Sequence, residues 1–130
     1  MKMTDRNLTL RVLDKTYAVC SLSKGEEIPV WALSGDFLSI TKTEEELSIV
    51  CEEKNVTQGI KYEGNWRILK IEGPLGFSLV GILAKIANIM SENNISIFAI
   101  STYDTDYILI KQGNINKSVE VLKKENYNVI

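Results

Sequence analysis

Two aspartates, Asp104 and Asp106, stand one residue apart behind two hydroxyls, Ser101 and Thr102, in the stretch ISTYDTDYIL. An Asp-x-Asp spacing can hold a divalent cation, but no third ligand lies near it and no metal is assigned. A tight turn is the commoner use of such a stretch, because Asp bonds its own local backbone. Asp104 is given that turn role. Asp106 keeps a carboxylate that can pair bidentately with a guanidinium or singly with an ammonium. The chain has no histidine, which removes the commonest acid–base group near neutral pH and the commonest metal ligand. No nucleophile and base can be paired. The expected chemistry is recognition, with no catalytic residue and no cofactor.

A second candidate lies upstream, in GPLGFSLVGILAKIANIMSENN. A loop that feeds a helix leaves backbone N–H groups unpaired, and the helix dipole favours a carboxylate there. Gly76 lets a backbone approach a ligand closely. Gly76, Phe77, Ser78 and Leu79 are therefore the candidate anion cradle. The plainer alternative is that Gly73-Pro74 is only a turn and Ser78 only an early helical residue. A following strand, 97–102, supplies an opposite wall through Phe98, Ala99, Ile100, Ser101 and Thr102. As an edge strand it would offer free N–H and C=O groups, with Ser101 and Thr102 adding hydroxyls.

The rest of the composition narrows the class. The 130 residues are 45% apolar and 25% charged with a net charge of −2, ordinary for one globular domain or two very small ones. The acidic balance argues against a nucleic-acid partner, which selects for a basic face. Residues 1–10 lack the apolar core of a signal peptide. No apolar run approaches about 18 residues, so no membrane span is expected. Cys20 and Cys51 each sit in an apolar run at a spacing that fits no zinc pattern. They read as buried thiols in a reducing cytoplasm, with a redox pair as the alternative. Trp31, Trp66 and Tyr62 read as packing residues.

The elements that must position these residues follow from periodicity. Strands are expected over 8–13, 17–22, 37–42, 47–51 and 66–71, then 95–102 and 106–111, with a short one over 127–130. Residues 28–33 (IPVWAL) read as a helical turn begun by Pro29, and 52–64 as loop. A helix is expected over 78–93, its non-apolar stripe being Gly81, Lys85, Asn88 and Glu92. Asn114 is expected to cap a last helix with Ile115, Val119 and Leu122 on its buried face. From Trp66 onward the order is βαββαβ, a ferredoxin-like α+β sandwich, with a spatial strand order 4-1-3-2. The first half repeats part of it. SITKTEEELSIV (39–50) overlays AISTYDTDYILI (99–110) without gaps, placing Glu46 on Asp106 and IPVWAL as a stunted copy of the long helix. Two halves, 1–64 and 65–130, are expected.

The run EGPLGFSLVGILAKIANIMSENNISIFAISTYDTDYILIK (72–111) resembles the ACT-domain family. The likeness is to small standalone bacterial proteins with two ACT-like halves, and more distantly to the regulatory domains of aspartate kinases and the animal cytosolic arginine sensor. It is looser over 8–64, so that half would be a degenerate ACT-like unit. The resemblance implies a regulatory module that binds a small ligand, often an amino acid, where two ACT units meet side by side. In the arginine sensor the aspartate matching Asp106, in the pattern ST-x-x-x-D, faces the guanidinium, so the resemblance implies a basic amino acid as one reading, with an uncharged amino acid or no ligand as the alternatives. Many similar loops carry Asp where Gly76 stands, so this chain departs from the pattern at the position that grips an α-amino group. The expected protein is an amino-acid-binding regulatory module, a homodimer or larger homo-oligomer. A ligand-free oligomerisation or protein-interaction domain is the alternative reading.

Overall fold

The computed structural model describes residues 8–72 and 81–130. They form two compact units: Lys15–Trp66, and a unit that joins the N-terminal stretch up to Asp14 to Arg67–Ile130.

In the unit Lys15–Trp66, strand β2 (Tyr17–Leu22) pairs antiparallel with β4 (Leu47–Glu52), from Tyr17 opposite Glu52 to Leu22 opposite Leu47. Edge strand β3 (Ser39–Lys42) extends β4. Alternation along these strands turns Ala18, Cys20, Leu22, Leu47, Ile49 and Cys51 to one face, where they form a core with Ala32. Where a helix would cover that face there is one 3-10 turn, Val30–Leu33, led by Pro29. The turn buries Ala32, while Val30 and Leu33 point to solvent.

The stretch 52–64 departs from the expected loop. A 3-10 turn at Glu53–Asn55 is followed by strand β5, which begins at Lys61 and runs to Ile71. Its first residues pair with β2, Ser21 opposite Lys61 and Val19 opposite Glu63, with a register shift between Tyr17 and Val19. Gly64 and a left-handed Asn65 mark the irregularity in sequence, and they disguised the strand as loop. Tyr62, expected to pack, is 46% exposed.

The second unit has the βαββαβ order: β5, α1 (Ile82–Glu92), β6 (Phe98–Ser101), β7 (Asp106–Lys111), α2 (Ile115–Lys124) and β8 (Asn128–Val129). It is a ferredoxin-type α+β fold with one strand added. Strand β1 (Thr9–Val12) lies between β5 and β8, antiparallel to the first and parallel to the second. The expected order 4-1-3-2 therefore becomes β8-β1-β5-β7-β6. Leu10 is wholly buried there among Leu69, Ile71 and Tyr127, which is why β1 groups with this unit and not with the residues that follow it.

Both helices build this unit's core. Ile82, Ile86 and Met90 of α1, at i, i+4 and i+8, are buried with Ile108 and Ile110 of β7 and Ile115 and Leu122 of α2. The expected helix 78–93 does not run through Gly81, whose φ of 83° is left-handed and which forms the N-cap of α1. Asn94, also left-handed at φ 59°, follows its C-terminus. Strand β6 is shorter than 95–102, because Ile95 is spent closing the helix end through Ile95 N–H to Met90 C=O. In α2 the buried face is Ile115, Ser118 and Leu122, with Val119 only half-buried. Ser118 is buried because its hydroxyl donates to the carbonyl of Asn114 at 2.8 Å. Asn114 is the N-cap by position but makes no side-chain cap bond.

Candidate functional site

The hairpin β6–β7 carries most of the residues singled out from sequence. Ser101 stands opposite Asp106 across it, and Phe98 opposite Leu109. Side chains opposite each other share a face. Ala99, Ser101, Asp106 and Ile108 thus lie on the face where Ile108 joins the helix-packed core, with Phe98, Ile100 and Tyr107 on the other. Ala99, Ser101 and Thr102 are exposed; Phe98, Ile100 and Asp106 are half-buried. Among the described residues β6 pairs only with β7, which makes it an edge strand of the sheet.

The four-residue turn 102–105 is held by Thr102 and not by Asp104. Thr102 N–H donates to the Thr105 carbonyl at 2.8 Å. The Thr102 hydroxyl donates to that same carbonyl at 3.1 Å and accepts from Thr105 N–H at 3.2 Å. That hydroxyl is consumed locally and is not left over for a ligand. Thr105, 6% exposed, donates its own hydroxyl to the carbonyl of Ile71 at the end of β5. The turn is thereby tied to the point where the chain leaves β5. Directly after the turn, the Asp106 carboxylate has no hydrogen-bond or ion-pair partner among the described residues. Ser101 is likewise unengaged there.

Gly76, Phe77, Ser78 and Leu79 lie outside the described residues. Helix α1 begins at Ile82, so its unpaired first-turn amides belong to residues from Ile82 onward, and the dipole argument applies there. At the end of β5, Glu72 accepts a hydrogen bond from Arg11 Nε and lies 3.8 Å from Lys70 Nζ. The Arg11 hydrogen bond holds the Glu72 carboxyl below the usual carboxylate range.

A feature missed from sequence is a second copy of the turn. In the hairpin β3–β4, Thr43 N–H donates to the Glu46 carbonyl at 2.9 Å, and the Thr43 hydroxyl accepts from Glu46 N–H at 3.1 Å. Lys42 opposite Leu47 and Ser101 opposite Asp106 flank the two turns. The structural overlay thus puts Thr43 on Thr102 and Leu47 on Asp106, one residue away from the gapless sequence overlay. The shared threonine was the available signal. Where the first hairpin has a core leucine, 2% exposed, the second has a carboxylate without a partner among the described residues.

A family model for the ACT domain matches residues 61–124, and a second model, for an N-terminal domain, matches 15–59. Residues 61–124 belong to the ACT-domain family. Protein Atu0741 from Agobacterium tumefaciens is 34% identical, with a TM-score of 0.90 over 95% of this chain and 92% of that one. The regulatory subunit of aspartate kinase from Thermus thermophilus shares the ACT fold at 9% identity, with a TM-score of 0.59 over 86% of this chain and 93% of that one. The cytosolic arginine sensor for mTORC1 subunit 1 of Homo sapiens is 40% identical over 60 residues. That stretch is 45% of this chain but only 18% of the sensor.

Proposed function

We propose that this chain is a regulatory module that binds an amino acid and has no catalytic activity of its own. The observation that carries the reading is Asp106: a half-buried carboxylate at the first residue of β7, unpartnered among the described residues. Leaving such a group half out of water without a partner is unfavourable, and a cationic ligand group would relieve it. Asp106 is assigned to the ligand's guanidinium or ammonium, with Ser101 beside it. The edge strand β6 and the residue after it, from Phe98 through Ala99 and Ile100 to Thr102, are assigned to the α-amino end. The carboxylate end is assigned from sequence to the backbone of Gly76, Phe77, Ser78 and Leu79.

The ACT-domain match, the fold shared with an aspartate kinase regulatory subunit and the likeness to an arginine sensor support an amino-acid ligand, with arginine or lysine favoured. We take the unit Lys15–Trp66 as a degenerate ACT-like half, on the strength of its matching threonine turn. Side-by-side assembly into a homodimer or larger homo-oligomer is part of the proposal, as is the absence of a nucleic-acid partner. Among the described residues no helix is long and apolar enough to cross a membrane.

The edge of β6 also favours a second reading, in which the strand serves pairing between copies and no ligand binds. Thermal melts against the twenty amino acids, combined with sedimentation, separate the two. A stabilising amino acid supports sensing. A concentration-dependent oligomer that no amino acid stabilises supports pairing alone.

A further inference from the structure

The 3-10 turn over the core of the unit Lys15–Trp66 turns apolar side chains outward. Val30 is 80% exposed, Leu33 56%, and Ile28, just before Pro29, 47%. Side chains three residues apart in a 3-10 helix eclipse one another, so Val30 and Leu33 form one outward stripe while Ala32 is buried. The stripe is held stiffly. Pro29 fixes the entry at φ −70°. Just after the turn, Asn55 Nδ2 donates to the Ser34 carbonyl at 2.9 Å, and Asp36 N–H donates to the buried Glu52 carboxylate at 3.3 Å. An exposed apolar group on an ordered backbone loses little freedom when a partner covers it.

Charge sets the kind of partner. No lysine or arginine occurs from Gly25 through Thr41, whereas Glu26, Glu27 and Asp36 flank the stripe in sequence and are exposed. Glu26 accepts from Ser23 N–H at 2.6 Å. The carboxylates of Glu27 and Asp36 have no partner among the described residues. The whole unit holds nine acidic residues against five lysines and no arginine. An apolar centre with a polar rim is the anatomy of a docking surface. An acidic rim selects a basic partner and repels an anionic membrane.

Spacing sets the partner's shape. Three residues of 3-10 helix rise about 6 Å, and side chains three or four apart on an α-helix stand about 5–6 Å apart. We propose that the turn Val30–Leu33 is a docking surface for a basic amphipathic helix of a partner protein. Apolar residues of that helix at i and i+3 or i+4 cover Val30 and Leu33, with Ile28 at the margin, and its lysines or arginines face Glu27 and Asp36. The unit that carries this surface holds none of the residues assigned to the amino acid, so the surface does not depend on that assignment.

The test titrates the whole chain into a fluorescently labelled helical peptide of leucine and lysine, with leucine at helical spacing, and reads anisotropy. Two control peptides keep the pattern: glutamate replaces lysine in one, and serine replaces leucine in the other. The expected result is saturable binding of the leucine–lysine peptide alone, weakened by salt. Val30→Ser combined with Leu33→Ser should weaken it at least about tenfold, with little change in melting temperature because both side chains are exposed. Glu27→Gln combined with Asp36→Asn should also weaken it and remove most of its salt dependence. Absence of binding, equal binding of the serine control, or unchanged binding in the double serine variant would overturn the proposal. So would phosphatidylglycerol vesicle binding or self-association that the double serine variant loses, since the stripe would then belong to a membrane or to a second copy. The rim variant decides the matter if the double serine variant fails to fold: unchanged binding there overturns the proposal as well.

Discussion

Thr105 donates its buried hydroxyl to the carbonyl of Ile71, joining the β6–β7 turn to the end of β5 across 34 residues of sequence. Removing one partner of a buried hydrogen bond leaves the other unsatisfied, at about 1–3 kcal/mol. Thr105→Val keeps the shape and deletes the donor, so it should lower unfolding free energy by about that amount in urea titration. Thr105→Ser should recover most of the loss. Equal stability for the valine and serine variants would show that the hydroxyl contributes nothing.

Gly35 sits at φ 100°, and a Cβ there would overlap the carboxylate of Glu52, coming within 2.8 Å of its Cδ. Glu52 is 4% exposed and accepts a bond from Asp36 N–H at 3.3 Å. Gly35→Ala should therefore both strain the backbone, at about 1–3 kcal/mol, and displace a buried acid. Gly25 has no left-handed φ, and nothing lies within 4 Å of the place its Cβ would take. Gly25→Ala should change stability by less than about 0.5 kcal/mol. Chemical denaturation of the pair checks the contrast.

The acid side of the stability profile should carry a contribution from Glu72. Its folded-state pKa is held below the unfolded one, first by the hydrogen bond from Arg11 and then by the charges of Lys70 and Arg11. A depressed carboxyl pKa stabilises the fold above the unfolded value and loses that effect as pH falls through the folded value. Glu72→Gln should flatten the decline of melting temperature below about pH 4.5, the ordinary carboxyl value. The difference should be small and shrink with added salt, because Arg11 is half exposed. A parallel decline for both proteins would contradict it.

Sequence patterns read well here wherever one periodicity governed a segment. The strand Tyr17–Leu22 and the buried Ile82, Ile86 and Met90 of α1 follow from alternation and helical spacing alone. What escaped depended on partners distant in the chain. Insertion of β1 beside β5 is fixed by Leu10 meeting Ile71, not by anything near Leu10. Ser118 escaped for a local reason instead: the Asn114 carbonyl, four residues back, accepts its hydroxyl and lets a polar side chain face the core. The hairpin overlay slipped by one residue because apolar strands match about equally well in neighbouring registers, while a slip of one exchanges the faces. The threonine turns fix the register, and they also exchange roles at the site. Thr102, not Asp104, does the local work of the turn, and the counterpart of Asp106 in the first half is Leu47, not Glu46.

The ligand prediction rests on linkage. A ligand that binds only the folded chain stabilises it by about 2.7 kcal/mol at a hundred times its dissociation constant. Each kcal/mol moves the melting midpoint of a domain this size by roughly 2–8 °C. Millimolar arginine or lysine should therefore raise the midpoint by several degrees if Asp106 reads a cationic side chain. Asp106→Asn removes the charge and keeps the shape, so it should abolish most of that shift. Neutral amino acids should be affected little by the same change. Asp104→Asn should leave the arginine or lysine shift intact, since Asp104 is exposed and the turn is held by Thr102. Thr102→Val should instead loosen the turn and lower stability with or without ligand. A shift produced by neutral amino acids alone would keep a sensing role but remove Asp106 from the side-chain pocket. No shift with any of the twenty, in a chain that self-associates, would leave the β6 edge as a pairing surface.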